Sequence, residues 1–278
     1  MKVVLFCGGL GMRMRAEGGT AEASLPKPMN PIGSRPVLWH IMRYYAHFGH
    51  KEFILCLGYG ANAVKDYFLD YRETHSNDFV MSDGGREVEL LSSDISDWTI
   101  TFADTGLNTP IGERLRRVRK HLGDDEMFLA NYGDVLSDAP MNDMIDALSR
   151  TDDVGSLIAV NPQDSFHVVQ IGENDKLLGI EPVADMEMRI NGGYFVLRQG
   201  IFDYLDEGQD LVMDACIKAA ADRRFRVVRF DGFWAPMDTL KERNALEDMY
   251  RSGNRPWALW EHDVTPTRRL TVVDAADV

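Results

Sequence analysis

Residues able to handle a phosphate lie near the start of the chain. Residues able to hold a divalent cation come more than a hundred positions later. In the turn Gly8-Gly9-Leu10-Gly11 the glycines let the main chain approach an anion without interference from Cβ, and successive amides can point at its oxygens. Met12 and then Arg13 and Arg15 follow, and an arginine can grip a phosphate through two parallel hydrogen bonds. Lys27 stands between Pro26 and Pro28, which stiffen its backbone and suit a fixed point charge beside a phosphate. Asp134 follows the apolar run Met127–Tyr132 and Gly133, a placement that suits Mg²⁺, which takes one or two carboxylates together with phosphate oxygens and water. Asp238 precedes an apolar-periodic helix. It reads either as a helix N-cap or, jointly with Asp134, as the second carboxylate of a shared metal. Plain strand-to-helix and local turns remain open for the glycines and for Asp134.

Other chemistries find no footing. A dinucleotide fingerprint anchored on Gly9 and Gly11 needs glycine at position 14, where Met14 stands, and Gly-Lys-Ser/Thr does not occur. The seven histidines show no metalloprotease spacing, and no serine sits in a Gly-x-Ser-x-Gly elbow. The reaction implied is phosphoryl-type transfer by positioning and charge neutralisation, which needs no nucleophile from the protein.

The elements that position these residues alternate. Val3 to Cys7 reads as a buried strand. Val37, Leu38, Ile41, Met42 and Tyr45 share one face of a helix opening at Pro36, and Phe53 to Leu57 is a second strand. Ala61 to Tyr71 is a helix, Trp98 to Ala103 a strand, Gly112 to His121 a basic helix, and Met127 to Tyr132 a central strand. A helix over Pro140–Arg150, a strand over Val154–Val160, a helix over Asp210–Ala221, a strand over Arg226–Phe230 and a helix over Leu240–Tyr250 complete the series. The stretch 165–200 alternates in an antiparallel style, and the last 20 residues hold a weak strand and a polar tail. Strand–helix alternation predicts an α/β fold with a mostly parallel sheet and right-handed crossovers. Ligands then bind at the carboxyl ends of the strands, where the Gly8–Gly11 turn, Gly133-Asp134 and the Trp234–Asp238 stretch all fall.

Composition agrees with a globular enzyme. The chain has 278 residues, 45% hydrophobic and 27% charged, with a net charge of −14. That charge repels nucleic acid and anionic membranes, so neither is an expected partner. Residues 1–51 nevertheless carry seven Lys/Arg and two Asp/Glu, a basic end suited to a small anionic ligand. Three cysteines (Cys7, Cys56, Cys216) sit among apolar residues and read as buried thiols compatible with a reducing cytoplasm. The first residues are too short an apolar run for a signal peptide, and no stretch of 18 apolar residues predicts a membrane span.

Gly8-Gly9-Leu10-Gly11-Met12-Arg13 followed by Pro26-Lys27-Pro28-Met29 resembles the signature of sugar-1-phosphate nucleotidylyltransferases, the glucose-1-phosphate cytidylyltransferases above all. The likeness continues in order through Leu38–Met42, Gly58-Tyr59, Asp104-Thr105-Gly106, Gly112 with Arg114-Leu115, Tyr132-Gly133-Asp134, Ile190–Leu197 and Phe233–Leu240, and covers roughly residues 1–261. It implies a Rossmann-like nucleotidyltransferase fold, a mostly parallel mixed sheet flanked by helices with a small β-rich acceptor-binding elaboration. One domain spans 1–261, its nucleotide part about 1–140 and its sugar-phosphate part about 141–240, with 262–278 a tail. The resemblance places Gly8, Gly9, Leu10, Gly11, Met12, Arg13 and Lys27 on the nucleotide triphosphate, and Gly106, Gly112 and Arg114 beside its base. Asp134 and Asp238 would ligate Mg²⁺, and Arg13, Lys27 and Asp134 would be catalytic. The reaction implied is in-line attack of a sugar 1-phosphate oxygen on the α-phosphorus of CTP, or another NTP, with loss of pyrophosphate. A homo-oligomer is implied as well.

The acceptor half departs from that pattern. The family's Glu-Lys-Pro before the Asn-Gly-Gly turn is answered by Ile180-Glu181-Pro182, without a lysine. Its Arg-Phe-Gly is answered by Ser165-Phe166-His167, and its Trp-Glu-x-Glu-Pro-Leu by Gln209-Asp210-Leu211-Val212. His167, Glu181, Asn191 and Gly192 are the candidate acceptor contacts, and an acceptor other than glucose 1-phosphate is the expectation. His167 reads equally as a surface histidine. A non-catalytic nucleotide- or sugar-phosphate-binding relative is the competing reading.

Overall fold

The computed structural model describes residues 1–9, 25–162, 167–183, 186–261 and 271–273. Leu10, Gly11, Met12, Arg13, Arg15, Ser165 and Phe166 lie outside the described residues, as does the tail apart from 271–273. The main strands are β1 (Lys2–Phe6), β2 (Glu52–Leu57), β3 (Thr99–Asp104), β4 (Met127–Tyr132), β5 (Gly155–Val160), β6 (Ile190–Arg198), β7 (Phe225–Phe230) and β8 (Thr271–Val273). The helices are α1 (Val37–His47), α2 (Ala61–Leu69), α3 (Ile111–Leu122), α4 (Met141–Ser149), α5 (Ile217–Ala221) and α6 (Leu240–Arg251).

All eight strands form one sheet in the order β8-β7-β5-β6-β4-β1-β2-β3. Pairing is parallel from β3 through β2 and β1 to β4, and again between β5 and β7. β6 runs antiparallel to both β4 and β5, so the sheet is mixed. Strands covered on both faces are apolar at every position, which is why β1 reads as a continuous apolar run rather than an alternating one. Val3 and Leu5 of β1 pack with Leu38, Ile41 and Met42 of α1 on one face. Val4 and Phe6 pack with Leu115, Val118 and Leu122 of α3 on the other. Two cores therefore sandwich the sheet.

The strand order reverses at β1, which has β2 on one side and β4 on the other. A crevice opens above such a point at the carboxyl ends of the strands. Two local devices shape it. In β6 the register with β5 shifts between Leu157 and Ala159, which face Phe195 and Asn191, so Gly192 and Gly193 form a bulge that aims Asn191 into the crevice. Gly193 has φ +79°, and a Cβ there would lie 2.5 Å from the Tyr132 ring. In the second device, Trp234–Pro236 pairs antiparallel with Val135–Ser137, just beyond β4.

Two segments depart from the sequence expectation. Residues 79–90 form a separate hairpin, Phe79–Ser82 against Glu87–Leu90, where no strand was foreseen. The helix foreseen over Asp210–Ala221 opens with a π-helical turn, Leu211–Cys216, before α5. Asp210 caps it, its carboxylate accepting from the amides of Val212 and Met213. The foreseen antiparallel stretch divides into a free hairpin, His167–Ile171 against Leu177–Pro182, and β6 itself. All three cysteines are buried free thiols. Among the described residues no helix is long and apolar enough to cross a membrane.

Candidate active site

A cavity of about 990 Å³ occupies the crevice. Gly8 and Gly9 from the end of β1, Lys27, Arg114, Asp134, Asn191 and Asp238 all reach it.

Lys27 opens a short 3₁₀ turn, Lys27–Met29, entered through extended Pro26. The Asn30 side-chain amide donates to the Pro26 and Lys27 carbonyls, which fixes that backbone. The ammonium projects into the crevice. There Nζ lies 3.0 Å from Asp134 Oδ2 and also donates to Asp238 Oδ1. Asp134 arrives at the end of β4. Asp238 arrives through the ribbon that pairs Pro236 with Val135, closed by a hydrogen bond from the Met237 amide to the Asp134 carbonyl. Two carboxylates 104 positions apart thus share one cation.

The N-cap reading of Asp238 is overturned by the structure. Thr239, not Asp238, caps α6. Its hydroxyl accepts from the Glu242 amide, while the Glu242 carboxylate accepts from the amides of Asp238 and Thr239, a full capping box. The Asp238 carboxylate is left to face the crevice.

The electrostatics follow from one positive charge shared by two negative ones. Burial raises the Asp134 carboxyl above its usual range. Lys27 pulls it down, but the like charge of Asp238 pushes the other way. Burial alone would lower the Lys27 ammonium, yet its two carboxylate partners outweigh that and hold it above its ordinary value. Asp210 and Glu242 also line the cavity, so its described acidic groups outnumber Lys27 and Arg114.

Arg114 is buried, and all five of its N–H groups are spent within the chain. Nε donates to the Thr109 carbonyl, Nη1 to the Leu57 carbonyl and Thr105 Oγ1, and Nη2 to the carbonyls of Gly8 and Leu107. The guanidinium therefore ties together the ends of β1, β2 and β3. Gly8 is a glycine for this reason, because a Cβ there would stand 2.1 Å from Arg114 Nη1. Gly106 and Gly112 flank the lining segment 107–111 without lining the cavity themselves. Gly112 instead abuts the Gln209 carbonyl, 2.5 Å from where its Cβ would be.

On the acceptor side, Asn191 donates from Nδ2 to the Tyr132 hydroxyl at 3.2 Å and accepts from the Gly193 amide. Gly192, also foreseen as an acceptor contact, is instead buried behind the wall against Ile158, and its carbonyl is taken by the Trp234 indole. His167 and Glu181 do not join Asn191. They stand one register position apart on the exposed free hairpin, and the cavity wall includes neither. Tyr132, Trp234, Asp210 and Glu242 line the cavity, though sequence reasoning gave them no role. Tyr132 and Trp234 stood in stretches already singled out, and Glu242 carried the Thr-x-x-Glu spacing of a capping box.

The described wall contains no histidine and no serine. Its one thiol, Cys7, is 1% exposed, and burial pushes its pKa well above the ordinary value. Such a wall can hold phosphates and a cation, and among the described residues it offers no activated nucleophile.

No family model matches the chain. It is 34% identical over 263 residues to glucose-1-phosphate cytidylyltransferase of Salmonella typhimurium, covering 94% of this chain and 100% of that one. It is 28% identical over 204 residues to D-glycero-alpha-D-manno-heptose 1-phosphate guanylyltransferase of Campylobacter jejuni, covering 73% and 78%. HddC from Yersinia pseudotuberculosis, solved with GMP-PN, superposes with a TM-score of 0.60 at 19% identity, over 90% of this chain and 99% of that one. The chain belongs to the glucose-1-phosphate cytidylyltransferase family.

Proposed function

We propose that the chain couples CTP to a sugar 1-phosphate, glucose 1-phosphate or a close relative, giving a CDP-sugar and pyrophosphate. The convergence of Asp134 and Asp238 on the Lys27 ammonium carries this reading. An acceptor phosphate oxygen forms the new bond to the α-phosphorus, the bond to the bridging oxygen breaks, and pyrophosphate leaves. Gly8 and Gly9 let the main chain come close to the phosphates, with Arg13 following in sequence. Lys27 neutralises charge that develops on them. Asn191 and Tyr132 face the acceptor, while His167 and Glu181 would reach it only from the hairpin.

Mg²⁺ fits the site. The donors are hard carboxylate oxygens, and a cation, the Lys27 ammonium, already stands between them. Asp134 and Asp238 would hold it, and when bound it would supply charge neutralisation on the phosphates.

The missing lysine of the acceptor half favours an altered acceptor. Among the described lining residues, Lys27 and Arg114 are the cations, and Arg114 is fully engaged. A panel of sugar 1-phosphates assayed for pyrophosphate release with CTP and Mg²⁺ tests both points. Turnover of glucose 1-phosphate and nothing else defeats the altered acceptor, and no release with any member defeats the enzyme reading. We also infer a cytoplasmic homo-oligomer. The two free hairpins expose Met81 (63%), Val88 (51%), Ile171 (67%) and Leu178 (70%), more apolar surface than a lone two-stranded hairpin carries stably. Light scattering of the purified chain measures the assembly.

A further inference from the structure

The Lys27 ammonium occupies the place where a divalent ion would neutralise Asp134 and Asp238. Both carboxylates direct an oxygen at the same Nζ. The backbone beneath it is fixed by Pro26, Pro28 and Asn30, but four methylenes separate that backbone from the charge. The ammonium can therefore leave the carboxylates without any movement of the main chain.

The surroundings decide when it leaves. Three of the Arg114 hydrogen bonds reach buried acceptors in the strand ends, so that guanidinium is not free to turn toward a phosphate. Lys27 is then the lining cation, among the described residues, that incoming phosphates can recruit. Moving it onto a phosphate strips two carboxylates of the one counter-ion they have among the described residues, and two like charges left together in a half-buried crevice repel. The exchange becomes favourable only if another cation takes over the pair at the same time.

We propose that Lys27 is a displaceable counter-ion of the metal site. The ammonium and the divalent ion compete for Asp134 and Asp238, and nucleotide phosphates accept the ammonium that the metal expels. The inference rests on the reading of these two aspartates as metal ligands. It has a consequence that reading lacks: without nucleotide, the intact site binds a divalent ion weakly because the lysine is in the way. Metal and nucleotide then enter as coupled partners, each raising the affinity of the other by the same factor.

Mn²⁺ alone, titrated into the full chain without nucleotide and followed by the electron paramagnetic resonance of the free ion, tests this. Lys27→Met is expected to bind Mn²⁺ at least tenfold more tightly than the native chain, and Lys27→Met/Asp134→Asn to lose that gain. Lys27→Gln, of similar length and uncharged, repeats the measurement should the methionine variant fold poorly, with circular dichroism checking each. Binding by both lysine variants no tighter than native overturns the competition. If Asp134→Asn in the native background then still abolishes Mn²⁺ binding, the metal reading stands and only the exchange falls. Undiminished affinity in Lys27→Met/Asp134→Asn instead removes the aspartates as ligands, and both fall together.

Discussion

Arg114→Met should loosen the nucleotide end of the sheet rather than merely remove a charge from the cavity. The bonds to the Gly8 carbonyl, the Leu57 carbonyl and Thr105 Oγ1 are buried, whereas those to Leu107 and Thr109 lie at the crevice, where water can replace them. The Leu57 carbonyl keeps the Thr105 amide and hydroxyl as donors, and the Gly8 carbonyl keeps the Tyr59 amide at 3.4 Å, so neither is fully orphaned. Three buried charge-assisted bonds, at roughly 1–1.5 kcal/mol each, make the cost about 3–5 kcal/mol. For a chain of this size that corresponds to a fall of roughly 5–9 °C in Tm. Arg114→Lys, able to reach only some of the same acceptors, should lie between. Urea unfolding followed by circular dichroism, beside calorimetric CTP binding, measures both effects. If Arg114→Met stays within about 1 kcal/mol of native stability while CTP binding collapses, the guanidinium acts on the ligand directly and the tie described above is wrong.

Other perturbations report on neighbouring parts. Gly193→Ala forces a Cβ into the left-handed region at φ +79° and against Tyr132, so unfolding in urea should show a loss of about 2–3 kcal/mol, with acceptor KM raised. Glu242→Ala removes the capping box that orients Asp238. Denaturation should show about 1 kcal/mol lost, and pyrophosphate release should fall, with Glu242→Gln recovering part of both. His40 is 2% exposed, between the Ile32 carbonyl and the Trp257 indole, and burial holds its pKa down at about 4. His50, lowered to about 4 by burial and the N-terminal ammonium, acts in the same direction. Between their ordinary value near 6.5 and 4 the unfolded chain binds more protons, so stability is full above pH 6.5 and declines as pH falls toward 4. The loss is up to about 3 kcal/mol for His40, and equal urea midpoints at pH 7 and 5 contradict it.

The main sheet was legible because its strands are apolar on both faces and its helices on one, a pattern that survives whatever packs against them. The gathering of Gly8, Lys27, Asp134 and Asp238 at one crevice was legible because glycines and charged residues there close apolar strand runs. The 79–90 hairpin was not: Phe79-Val80-Met81 is short and exposed, so no burial pattern marks it. Glu181 and His167 were assigned to the acceptor by alignment with motifs, but pairing of His167 with Pro182 sets them on a separate ribbon. The part played by Arg114 was hidden because five main-chain and hydroxyl partners, gathered from three segments, leave no trace in local sequence. Lys27 was read as a phosphate ligand. Its hold on both aspartates emerges only when the Trp234–Pro236 ribbon folds against Val135–Ser137.

The central claim is that Asp134 and Asp238 act as one unit on one cation. Pyrophosphate release from CTP and a turned-over sugar 1-phosphate, measured for Asp134→Asn, Asp238→Asn and the double variant, tests it most directly. Joint ligation predicts that each single change lowers kcat by at least about a hundredfold and that the double change falls little further. Near-native turnover in either single variant, or losses that multiply in the double, would contradict it.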